Sequence, residues 1–126
     1  MTQKLTADQM RRIAEIEEYL KLVSRVDHQV AELDANRAAP ARAIQNICEA
    51  IARDMSHLRQ RALTANIGTI ADVAGSLSVM AARGGGLAMK LRGLSDGVNS
   101  LRMQLDHALK AASTPEKERP SEPERR

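Results

Sequence analysis

Apolar residues recur along this chain at alternating spacings of three and four. Near the start the series is Ile13, Ile16, Leu20 and Val23, and near the end it is Leu87, Leu91, Leu94, Val98, Leu101, Leu105 and Ala108. A helix brings such positions onto one stripe, so the pattern predicts helices packed side by side with coiled-coil-like seams. The first helix opens at Ala7, with Thr6 as N-cap and Gln9 in the first turn. Its stripe continues through Val26, Val30 and Leu33, and the step from Val23 to Val26 reads as a local change of phase. Asn36 is placed to end the helix in the left-handed conformation, and Pro40 suits the first turn of the next.

The second stripe is Ile44, Ile47, Ile51, Met55, Leu58 and Ala62. Past Ala62 the chain allows two architectures. The four-three rhythm continues through Leu63, Ile67, Ile70, Ala74 and Leu77, and one helix from Pro40 to Ala82 would be about 65 Å long. Asn66 and Gly68 instead signal a stop, with Thr69 and Asp72 forming a capping-box pattern for a short third helix. The break is the favoured reading. Arg83-Gly84-Gly85-Gly86 is a turn, since each glycine inside a helix costs about 1 kcal/mol. The last helix spans Leu87 to Ala112, with Gly93 and Gly97 beside its seam as points of close helix approach. The expected fold is all-α, an antiparallel three- or four-helix bundle over residues 6–112. Residues 1–5 are expected to be flexible, and the Pro-rich, charged residues 113–126 a disordered tail.

Composition sharpens this picture. Of 126 residues one is Tyr and none is Phe or Trp, so the core rests on Leu, Ile, Val, Met and Ala. Aromatic rings each bury ~150–250 Å². Without them the bundle is expected to gain stability by sharing its seam with a second copy. Leu87, Leu91, Leu94, Val98, Leu101 and Leu105 are the candidate partner-binding residues, with Leu63, Val79, Met80 and Leu109 extending the apolar surface. The methionines Met10, Met55, Met80, Met89 and Met103 are expected at or near the seams as gap-fillers.

The net charge of +3 is unevenly spread, with an acidic excess in residues 1–36 and basic excesses in the middle of the chain. Arg53, Arg59, Arg61, Arg83, Lys90 and Arg92 form the candidate set for weak nucleic-acid binding, though stacking aromatics are lacking. Single Cys48, in a helical pattern beside Ile47 and Ile51, reads as a buried, inert thiol. One cysteine cannot form an intramolecular disulfide and suits a reducing compartment. No leader-like or membrane-spanning apolar run is found, so a cytoplasmic protein is expected.

Candidate chemistry is sparse. His28, His57 and His107 each lie alone on a helix, without a His or carboxylate pattern such as Glu-x-x-His recurring on facing helices, and no metal or cofactor is expected. The glycine run lacks the spacing and the Gly-Lys-Ser/Thr of a phosphate loop. Arg53, His57 and Arg61 occupy successive turns of one helix face, and an imidazole between guanidinium groups is suited to accept a phosphoryl group. The run His57-Leu58-Arg59-Gln60-Arg61 resembles the histidine-phosphotransfer pattern, in which an exposed His on a helical bundle precedes Leu, Lys and Gly. Asn66-Ile67-Gly68 and the hairpin across Gly84–Gly86 are similar in layout. Here Leu58 comes one place early, Gln60 stands at the Lys position and Arg61 replaces the small Gly. The resemblance implies phosphorelay through His57; the residues otherwise point to a non-enzymatic helical interaction or scaffold module, self-associating as a homodimer.

Overall fold

The computed structural model describes residues 4–115. Within them lie four helices: α1 (Ala7–Ala35), α2 (Ala41–Thr64), α3 (Gly68–Ala82) and α4 (Leu87–Ala112). Cross-helix contacts fix their directions. Glu15 meets Arg61 and Arg25 meets Asp54, so α1 and α2 are antiparallel. Gln9 reaches Ala112 while Asp27 meets Arg102, which sets α4 antiparallel to α1. Each helix packs on its two neighbours in a ring, α1 on α2 and α4, α3 on α2 and α4. The fold is an antiparallel four-helix bundle.

The helix ends obey local chemistry. Thr6 Oγ1 accepts the Gln9 N–H at 3.0 Å, and the Gln9 side chain accepts the Thr6 N–H at 2.9 Å, completing a capping box. The same Gln9 amide donates to the Thr114 carbonyl at 2.6 Å. This contact ties Thr114 to α1. Residues 1–3 and 116–126 lie outside the described residues.

Asn36 does not take the left-handed conformation; its φ is −114°. Its side-chain amide instead donates to the Glu32 carbonyl at 2.7 Å, satisfying the helix end without reversing φ. The left-handed asparagine is Asn66, at φ 64°. Its N–H bonds to the Leu63 carbonyl and the Ile67 N–H to the Ala62 carbonyl, which is a Schellman closure with Asn in the usual glycine place. The helix therefore breaks between Thr64 and Gly68, as the punctuation favours. The Thr69–Asp72 capping box does not form. The Schellman turn closes so tightly that α3 restarts at Gly68, and the Ala71 N–H already bonds to Ile67. Gly85, at φ 123°, makes the reversal into α4.

The core draws on all four helices. On α1 the buried residues include Ile16, Tyr19, Val23, Val26, Val30 and Leu33. Counting Tyr19 rather than Leu20 gives an unbroken three-four alternation, so the expected phase change at Val23 does not occur. The half-buried Ile13 and Leu20 flank that line. Gly93 and Gly97 act as the sequence suggests. A Cβ on Gly97 would come closer than 3.0 Å to the Leu77 side chain, and one on Gly93 would strike Met80.

Candidate functional site

The histidine face of α2 is built against α1. Arg53 and His57 are exposed one turn apart. Arg61, a further turn on, is engaged elsewhere: its Nη2 lies 2.8 Å from Glu15 Oε1, and its guanidinium carbon sits 5.7 Å from the centre of the Tyr19 ring. Tyr19 is fully buried, and its hydroxyl donates to the Arg61 carbonyl at 3.1 Å. Burial, reinforced by the neighbouring Glu15 carboxylate, pushes the phenol well above its ordinary range. For Glu15, burial raises the carboxyl pKa, but hydrogen bonds from Tyr19 and Arg61 and the Arg61 charge outweigh it and hold it low.

Between these helices runs an open groove of about 400 Å³, lined by Glu15, His57, Gln60, Arg61, Thr64 and Ala65. His57 is the titratable side chain on its wall without an ion-pair partner among the described residues. The structure thus brings two of the three phosphotransfer candidates, His57 and Arg61, to one groove. It also places a carboxylate there, which repels an anion and already binds Arg61. Next to Arg53, Asp54 accepts a two-pronged contact from Arg25 at 2.9 and 3.1 Å and a third bond from Gln29 at 3.1 Å. These charged groups clamp α1 to α2.

The α4 seam faces the interior of the bundle. Leu91, Leu94, Val98, Leu101 and Leu105 are buried in the chain's own core, and Leu87 is half-buried against it. Four helices supply enough aliphatic surface to enclose that stripe within one chain. The methionines divide differently from expectation: Met55 is in the core, Met80 packs against Gly93, and Met10, Met89 and Met103 are exposed. Among the described residues, the large apolar side chains left facing solvent are Met10, Leu63, Val79, Met89 and Met103. Met89 rims a groove of about 720 Å³ between α1 and α4, with Asp27, Asp34 and Arg92 on its walls.

The six basic residues are not gathered. Arg59 and Arg83 line a groove on the α2–α3 side, whereas Arg92 lies on the opposite α1–α4 side. Arg61 is paired with Glu15. Lys90 turns inward, its Nζ 3.4 Å from the Ala81 carbonyl and 3.8 Å from Cys48 Sγ. Cys48 is buried, as its helical position implies.

Three structural features are not apparent from the apolar stripes of the sequence. Tyr19 is the largest fully buried side chain, and the three-four spacing from Ile16 to Val23 is the signal that finds it. The α1–α2 ionic clamp carries no sequence signal, because its partners are 29 and 46 residues apart. The third is the outer side of α3, where Thr69, Asp72, Ser76 and Val79 are all exposed. Their spacing is helical but, apart from Val79, not apolar, so a search for hydrophobic stripes passes over it.

Among the described residues, no three His, Cys, Asp or Glu side chains converge as a metal site, and no helix is long and apolar enough to cross a membrane. No protein-family profile, curated protein or solved structure matches the chain.

Proposed function

We propose that this chain is a non-catalytic helical interaction module that associates with a copy of itself in the cytoplasm. One observation carries the reading. The core is closed within a single chain, yet among the described residues five large apolar side chains remain 48–78% exposed. Two of them lie on groove walls, beside polar groups that give a contact direction: Met89 with Asp27 and Arg92, and Val79 with Arg59 and Arg83. Exposed apolar groups rimmed by charge are what a transient protein interface uses. Methionine suits such a surface because its flexible thioether adapts to a partner. Sedimentation velocity across the micromolar range tests the self-association. A sedimentation coefficient that rises with concentration is the expected result, and a monomer at every concentration overturns it.

A second reading is phosphorelay through His57. It is favoured by the exposure of that imidazole on α2, at a groove between antiparallel helices. Incubation with a phosphorylated response regulator would then leave acid-labile phosphate on the wild type and none on His57→Gln. An unlabelled wild type removes this reading.

A further inference from the structure

The outer face of α3 is exposed along its whole length. Every residue at the spacing Thr69, Asp72, Ser76, Val79 and Arg83 is exposed. These positions lie within about 80° of one another around the helix, since successive residues turn by about 100°. The middle of the face carries only Ser76 and Val79, both short side chains, while Gly75 beside them is already covered by the Arg59 side chain of α2. Val79 stands 58% exposed there. An acid, Asp72, lies at one end of the face and a base, Arg83, at the other. Neither makes an ion pair with another described residue. Gly75, Ser76, Val79 and Arg83 line one groove, together with Arg59 of α2.

We propose that α3 packs antiparallel on α3 of a second copy, about a two-fold axis between Leu77 and Ser78. The proposal rests on the self-association reading above and specifies its surface. In this register Val79 of each copy sits opposite Ser76 of the other, a small apolar knob against a small residue. Asp72 of each copy sits opposite Arg83 of the other, and symmetry makes that ion pair twice. A parallel pairing would set Asp72 against Asp72 and Arg83 against Arg83, which is repulsive. Antiparallel packing also places opposite ends of the two helix dipoles together. The contact is small. With 15 residues, α3 is about 22 Å long. A single-helix face falls well short of the ~800 Å² per partner of a standard stable complex. The dimer is accordingly a weak one.

Sedimentation equilibrium of the full chain tests this with four variants, each checked for native helicity by circular dichroism. Because the altered positions are exposed, the fold is retained. Val79→Asp, which sets a charge at the centre of the contact, is expected to leave only monomer at concentrations where the wild type is half dimeric. Asp72→Arg and Arg83→Asp each replace two attractions by two repulsions and weaken the dimer on the order of tenfold. The double variant Asp72→Arg/Arg83→Asp restores pairing and returns the affinity to near wild type. A wild type that is monomeric throughout overturns both the self-association reading and this one. A wild-type dimer indifferent to Val79→Asp, or one that the double charge reversal does not rescue, overturns the α3 pairing alone and leaves self-association through another face.

Discussion

At the scale of single residues, Tyr19 shows how one side chain organises its surroundings. It is the chain's sole aromatic residue, it fills the α1–α2 contact, and its hydroxyl bonds to the Arg61 carbonyl while Arg61 covers its ring. Tyr19→Phe keeps the packing and removes the hydrogen bond. Since the Arg61 carbonyl still accepts the Ala65 N–H, the expected loss is only about 0.5–1.5 kcal/mol, read from urea unfolding. The pH dependence is more distinctive. Burial, then Glu15, raises the folded phenol above the ordinary value of 10.0, so the folded state holds a proton that the unfolded chain releases. Stability is therefore full below pH 10.0 and declines as pH rises beyond it. Tyr19→Phe should flatten that alkaline decline, and with no Trp in the chain the tyrosinate absorbance reports the same event cleanly. Glu15 acts at the other extreme. Its depressed folded pKa contributes stability above the ordinary value of 4.5, which is lost as pH falls through the folded value. Glu15→Gln should remove this part of the acid limb and leave the acid side of the profile flatter than in the wild type.

At the scale of elements, the ends of helices rest on different devices, and each makes a separate expectation. The capping box of α1 is legible in Thr6 and Gln9, because both partners lie within one turn. The α2–α3 junction is only half legible. Asn66 and Gly68 mark a break, yet which of them takes the left-handed conformation depends on where Ile67 must go to reach the core. Since Asn66 holds φ 64°, Asn66→Gly should leave the thermal midpoint near wild type, while Asn66→Val should cost about 1–2 kcal/mol. Midpoints of equal size for both variants would contradict the Schellman closure. The α3–α4 contact depends on close approach at Gly97. Gly97→Leu would drive a side chain into Leu77, and an overpacking loss of about 1–3 kcal/mol is expected from denaturant titration. Leu101→Ala, in the same seam and fully buried, should cost about 2–5 kcal/mol through the cavity it leaves. A loss within a few tenths of zero would place Leu101 outside the core.

At the scale of the whole molecule, a weak dimer leaves a thermodynamic trace. If the folded chain pairs and the unfolded chain does not, the thermal midpoint rises with protein concentration, because pairing draws on the folded state alone. Calorimetry over a hundredfold concentration range should show that rise in the wild type and a flat line for Val79→Asp. The sequence by itself determined the all-α class, the last helix from Leu87 to Ala112, the turn at Gly85 and the burial of Cys48. Each of these arises from local periodicity or backbone preference, which neighbours along the chain specify. It could not decide whether the α4 stripe is an outer seam or an inner one. Leu91 and Leu105 have the same spacing in either case, and only the closing of four helices into a ring buries them within one chain. The tertiary structure likewise decided that Arg61 belongs to Glu15 and Tyr19, and that Arg92 faces away from Arg59 and Arg83. A helical face is written in the sequence, but what lies opposite that face is fixed by packing between residues far apart in the chain.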